Sequence, residues 1–449
     1  LGAGAATSNT IHSQYRIVEN LTTFFIMLYR LSILHNASKA LCGFMLALSV
    51  WSCQDFVQGV AKPNNTINDA DLNSEAELPL LFASISGYFG QYWRFASMYL
   101  STLSDEFRTV EGIAQKPVLP TFREFDNGSP LLERTNREWG FLGGARFHAQ
   151  DLLDRVPKIR FSQDSNRLKC LFVGYFHIAL VQHHYAAFFG IAPRQGGGVL
   201  LGGPFVPSSQ MHDTALSNFI RAAEYARTDY ERRLVNSFVA RIHLLEKRYT
   251  LCLSAAVNGL REGDAPMSLL YPPSTFNIWY DNAGLNHQII PADRFRAYVE
   301  AEPAEAGRIR LSVGDAPLPS LTKPYFVQAK YDTDTSRIDL MTWQENALMI
   351  AEMQLEVNRN TTAALLEVNR VRASVPLVPG IPKLMPRSTT TIDSIRIERQ
   401  KQLFATGLRT LDQNRFDDWH FPSAQANTAW RYLPISQNER NANPNLPPN

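Results

Sequence analysis

Two imidazoles stand side by side at His183 and His184, and such a pair could hold a divalent metal or relay a proton. On a helix, however, successive residues point about 100° apart, whereas metal-binding pairs use the i, i+4 spacing of HExxH. The histidines therefore read as core or rim side chains, and no metal is expected. Gln195-Gly-Gly-Gly198 and Gly202-Gly203 invite comparison with phosphate cradles, but neither carries the Gly-Lys-Ser/Thr of a phosphate loop. Both read as flexible loop, and no cofactor is expected. The chain has no GxSxG elbow, and its scattered carboxylates single out no acid/base pair. Catalysis is thus not expected, with a hydrolase kept as the weaker alternative.

Residues suited to recognition are easier to find. Between Tyr271 and Asn282, flat aromatics alternate with amides and a carboxylate, as Tyr271, Phe276, Asn277, Trp279, Tyr280, Asp281 and Asn282. Sugar rings and extended peptides both present apolar faces beside hydrogen-bonding edges, so this mixture suits either ligand. The ligand-binding candidates are Tyr271, Asn277, Trp279, Tyr280 and Asp281, with Trp93, beside Arg94, as a smaller second set. The competing role for each aromatic is to plug its loop onto a core.

Of the four cysteines, none forms CxxC or a zinc-spaced cluster. Cys170 and Cys252 fall in helix-like segments and read as small buried hydrophobes, although a bond between them stays open. Cys53 is different. Residues 40–51 form an uncharged apolar run preceded by Lys39 and Arg30, too short to cross a bilayer and the right length for the core of a secretory signal. The run ends in Val50-Trp51-Ser52-Cys53, which resembles a lipobox whose cysteine becomes acylated. Residues 1–52 then comprise an upstream extension and a signal, and Cys53 is the expected lipid anchor.

The elements that must position these groups come from the hydropathy pattern. With 449 residues, 45% hydrophobic and 19% charged, the chain is long enough for a sizeable core, and a formal charge of +2 with no basic run argues against nucleic acid. Residues 53–77 read as a tether. From Leu78, apolar residues recur at helical spacing, and Pro79 suits a first turn. Further helices are expected over Leu131–Val156, Asn166–Phe189, Thr214–Leu234, Ser237–Glu246 and Leu251–Leu260, then over Thr342–Arg372 and Thr391–Gly407. Asn166–Phe189 is apolar enough to be buried. Residues 263–341 are rich in Pro, Gly, Asp and Asn, with strand-like stretches such as Arg308–Val313. The last residues, from Tyr432, read as an extended tail. The expected fold is mainly α: helical hairpins of tetratricopeptide type in one large domain, residues 78–449, with an irregular insertion containing short strands.

The C-terminal third carries a family resemblance. Trp343-Gln-Glu-Asn-Ala-Leu-Met-Ile-Ala-Glu352 and Ala363-Ala-Leu-Leu-Glu-Val-Asn-Arg-Val-Arg372 resemble the paired helices of SusD/RagB proteins. Ile395-Arg-Ile-Glu-Arg-Gln-Lys-Gln-Leu-Phe404 with Gly407-Leu-Arg409 resembles the family's "I..ER..EL..EG.R" helix, with Thr406 where the family usually has Glu before the glycine. Tyr432-Leu-Pro-Ile-Ser-Gln-Asn-Glu439 with Asn443-Pro-Asn-Leu446 is similar to its terminal "LPIPxxE…NPN". Arg372 and Arg409 are expected to pair with Glu345, Glu352 or Glu439 and fasten the tail.

This resemblance implies a lipid-anchored protein exposed on the outer membrane. It would bind a glycan or peptide nutrient and deliver it to a SusC-like TonB-dependent barrel. The alternative is a secreted helical-repeat module that binds only protein.

Overall fold

A proline in the first turn of a helix costs nothing, because the N–H it lacks has no partner there, and Pro79 sits in the first turn of α1 (Leu78–Leu103). The remaining helices, in chain order, are α2 (Asn136–Arg155), α3 (Asp164–Phe188), α4 (Ser208–Tyr225), α5 (Asp229–Leu245), α6 (Tyr249–Val257), α7 (Asp293–Ala301), α8 (Trp343–Glu356), α9 (Thr361–Ala373), α10 (Ile392–Gln402), α11 (Arg409–Phe416) and α12 (Gln437–Ala442). The computed structural model describes residues 69–110, 135–315, 323–419 and 430–446. Cys53 and the expected leader lie outside them. No helix among the described residues is long and apolar enough to cross a membrane.

Sequence neighbours pack as spatial neighbours. The contacts run in series from α1 through α6, then to α8, against which α9 and α10 lie. The fold is therefore mainly α, as its periodicity implies. α3 is buried without a break from Ile178 to Phe188, as expected of a helix apolar on nearly every side. One apolar core runs through α1–α5 and α8–α10, while Cys170 and Cys252 belong to two separate smaller clusters. Both thiols are free and buried, so the disulfide left open above does not form.

Four features differ from the sequence reading, two for a local reason and two through pairing with other segments. The helix expected over Thr214–Leu234 is two helices. Thr228 accepts from the Glu231 backbone N–H while the Glu231 carboxylate accepts from that of Thr228, a capping box that starts α5 afresh. The stretch Thr342–Arg372 likewise breaks at Arg359, which has a φ of 54°, and restarts with Asn360 as cap. The glycine run read as flexible loop is β3 (Gln195–Val199), paired with β2 (Phe189–Ala192) and β4 (Phe205–Pro207). A Cβ on Gly198 would lie 2.8 Å from Tyr185, and one on Gly196 would lie 2.6 Å from Ser208 and Tyr432, so these glycines let the strand press against its neighbours. The tail read as extended instead adds β10 (Leu433–Pro434), parallel to β2, and then forms α12, capped by Ser436.

The insertion holds β5 (Met267–Leu269) paired with β9 (Ile338–Met341), and β7 (Leu311–Gly314) paired with β8 (Tyr325–Gln328). β6 (Ile289–Pro291) pairs with β1 (Phe107–Thr109). It also contains α7 and a wide helical turn at Trp279–Leu285, neither of which the sequence reading included.

The arginines are fastened differently from expectation. Arg372 pairs with Glu302, Glu305 and Glu398, and Arg409 with Asp105 and Asp418. Glu345 belongs to Arg241 and Glu352 to Arg415, because α8 turns those carboxylates toward α5 and α11. Asp412 on α11 accepts from Arg399 Nε at 2.9 Å and Arg415 Nη2 at 2.9 Å. Burial alone would raise its pKa, but the charges and hydrogen bonds of those arginines outweigh burial and hold it at about 2. A carboxyl depressed in the folded state stabilises it above the ordinary value of 3.8, and that contribution disappears as pH falls through about 2. Its size is roughly 2 kcal/mol. Urea unfolding followed from about pH 5 to pH 2 should show this loss. The acid limb should flatten in Asp412→Asn; an unchanged limb would contradict the assignment.

Candidate ligand-binding site

Ala83, Gly87 and Gly90 lie at four- and three-residue spacing on α1 and leave a trough along one side of the helix. Tyr88 and Phe141 wall it on one side, and Leu270, Tyr271 and Pro272 on the other, enclosing a cleft of about 630 Å³. No charged side chain occurs among its described lining residues.

Tyr88 is held in place. Its ring is 4.8 Å from the His148 ring and edge-on to Phe141 at 6.1 Å, between centroids. Beneath it lies Gly144, where a Cβ would stand 2.4 Å from the tyrosine ring, so only glycine allows this seat. Tyr88 is nevertheless 39% exposed. A fixed aromatic face open to solvent beside backbone and hydroxyl groups can stack on an apolar ligand face at little entropic cost.

The expected ligand residues separate. Tyr271 lines the cleft, with its hydroxyl 3.4 Å from the Gly90 carbonyl. Trp93 and Trp279 are fully buried, and the Trp279 indole N–H donates to Ser97 Oγ at 3.0 Å. Asn277 is buried too, donating to the Ser336 carbonyl and accepting from the Trp279 N–H. Trp279 ties the insertion to α1, Asn277 braces the insertion internally and Trp93 packs on His184 and Phe188 of α3, so none of the three offers surface to a ligand. Tyr280 and Asp281 are half-buried and do not line the cleft; Asp281 accepts from Asn286 Nδ2. The sequence reading missed Tyr88 and Phe141. The available signal was that Tyr88 is an aromatic off the buried stripe of α1, next to a glycine.

His183 and His184 lie in the core. His183 Nδ1 is 3.3 Å from His212 Nε2, and His212 Nδ1 is 2.5 Å from Glu246 Oε1; His184 Nδ1 is 3.2 Å from the Tyr92 hydroxyl. Burial pushes the His183 and His184 imidazoles well below their ordinary pKa, so neutral rings occupy the core. Among the described residues, no three His, Cys, Asp or Glu side chains converge as a metal site.

No protein-family model matches the sequence, and no curated protein matches it either. Solved structures do. A SusD superfamily protein from Bacteroides thetaiotaomicron VPI-5482 superposes with a TM-score of 0.63 at 15% identity, covering 83% of this chain and 98% of its own. A SusD-like carbohydrate binding protein from Bacteroides vulgatus ATCC 8482 gives 0.64 at 12% identity, covering 83% and 97%. A SusD/RagB family protein from Bacteroides thetaiotaomicron VPI-5482 gives 0.60 at 15% identity, covering 82% and 94%. A helical scaffold matched over 82–83% of the chain, together with the ordered C-terminal motifs, gives this protein the SusD/RagB fold.

Proposed function

We propose that this protein is a nutrient-binding lipoprotein, not an enzyme, and that it captures a glycan in the Tyr88–Tyr271 cleft. It would pass that glycan to a SusC-like TonB-dependent barrel in the outer membrane, with an acylated Cys53 as the tether. The observation that carries the reading is the exposed, seated Tyr88 ring above an uncharged trough, on a fold shared with a SusD-like carbohydrate binding protein. The described lining residues include no carboxylate, histidine or cysteine to serve as general acid, base or nucleophile. They do include Ser84, Ser86, Gln91 and Thr275, which can hydrogen-bond sugar hydroxyls.

Calorimetric titration of the full chain against an oligosaccharide panel tests the reading. Tyr88→Ala removes the stacking face and should weaken binding by about 2 kcal/mol, roughly 30-fold. Gly144→Val should weaken it comparably by displacing the ring. Binding that survives both changes, or release of shorter sugars on incubation, would overturn the site or the absence of catalysis, respectively. A pull-down from solubilised outer membranes should recover a barrel transporter, and Cys53→Ser should release the protein from membranes.

A further inference from the structure

The cleft itself is uncharged, but an arginine stands just beyond its lining residues. One turn along α1 from Gly90 and Gln91, which line the cleft, stands Arg94; its Nη1 donates at 3.0 Å to the carbonyl of Phe276, the residue after the lining residue Thr275. Arg94 is half-buried, yet no carboxylate among the described residues lies within ion-pair distance of it. Its Nε is buried with no hydrogen-bond partner. The Arg137 guanidinium approaches the same ring as Arg94: their guanidinium carbons are 3.3 and 4.6 Å, respectively, from the Phe95 centroid.

Counter-charge at this spot is insufficient. Arg137 pairs with Glu138, which takes Nε and Nη2 at 3.0 and 2.8 Å through a single oxygen, Oε1. Oε2 of that carboxylate is buried and unpaired. Two cations and one carboxylate leave an excess positive charge in a partly desolvated setting, where guanidinium groups repel each other and unmet donors are costly. Desolvation, and then the charge of Arg137, pulls the Arg94 pKa down, which marks the same deficit. Guanidinium N–H groups arranged around a planar or tetrahedral oxyanion satisfy this deficit in the strongest way available, through charge-assisted hydrogen bonds.

Resting on the glycan reading above, we infer that the captured glycan is anionic: its sugar ring stacks in the Tyr88–Tyr271 cleft while a carboxylate or sulfate substituent reaches Arg94 and Arg137. The shared chemistry is an oxyanion on a saccharide. A uronic acid and a sulfate ester are its two sources.

The test uses the full chain on an array of uronate-containing, sulfated and neutral oligosaccharides, with calorimetry on the strongest hit and on its carboxyl-reduced or desulfated counterpart. Hits should concentrate among the anionic members, and whether they are uronates or sulfates identifies the source. Removing the anion should weaken binding roughly tenfold or more, with the difference shrinking as salt is added. Arg94→Gln should erase this preference, bringing the affinities for the anionic member and its neutral counterpart to within about twofold of each other. Arg94→Lys, which keeps charge without the planar fork, should retain part of it. Thermal melting of each variant separates this outcome from loss of the loop that Arg94 holds through Phe276. Hits that are all neutral, or a preference that survives Arg94→Gln in a folded protein, would overturn the inference and leave the glycan reading standing. No glycan hits, with capture instead of peptides, would overturn both.

Discussion

Arg241→Ala is expected to cost about 3–5 kcal/mol of unfolding free energy. Arg241 on α5 donates from Nε and Nη2 to the two oxygens of Glu345 on α8 at 2.9 and 2.6 Å, and from Nη2 to the Leu340 carbonyl of β9 at 2.6 Å. The two side chains are 2% and 1% exposed. The cost does not measure the attraction of the pair, since desolvation offsets much of that. It arises because the variant leaves Glu345 buried without the guanidinium that hydrogen-bonds both its oxygens. Replacing both partners with apolar residues, as Arg241→Met with Glu345→Leu, should therefore recover most of the loss. Urea unfolding of the single and double variants decides the matter. A single-variant loss below about 1 kcal/mol would show that the pair behaves like one on the surface.

Trp279→Ala is the second large effect, at about 3–5 kcal/mol. The indole is fully buried, edge-on to Phe107 at 4.9 Å and tilted over Tyr331 at 5.9 Å, with its N–H bonded to Ser97. Its removal leaves a large cavity between α1 and the insertion and takes from Ser97 Oγ the indole N–H that it accepts. Trp279→Phe should restore part of the stability by filling most of the volume. Thermal melting and glycan titration on the same sample distinguish the core role from ligand contact. A ligand-contact residue would lose affinity at unchanged stability, whereas Trp279→Ala should melt early and bind normally while folded.

Much of the scaffold was legible because its causes are local. The apolar spacing from Leu78, Pro79 in a first turn and the continuous hydrophobicity ending in Phe188 each act within a few residues, and each marks a helix found in the structure. The Thr228–Glu231 capping box was equally local and was passed over because the apolar period on either side of it stays in phase. The candidate site was less legible. Tyr271 and Trp279 belong to the same aromatic run and are both buried, yet only Tyr271 also borders the cleft. Nothing in their spacing distinguishes them, since the run is an irregular loop whose outward side depends on where α1 crosses it.

The sequence by itself determined a mainly helical chain, the place of most of its long helices and the motifs that resemble those of SusD/RagB proteins. Tertiary structure alone decided which carboxylate each arginine holds, that the glycine run is a strand, and that Tyr88 rather than Trp93 or Trp279 faces solvent. The physical reason is range. Helix formation depends on neighbours within a turn or two, whereas burial and ion pairing depend on groups that packing brings together from far along the chain: Arg241 from Glu345, Trp279 from Ser97, and Arg94 from Phe276.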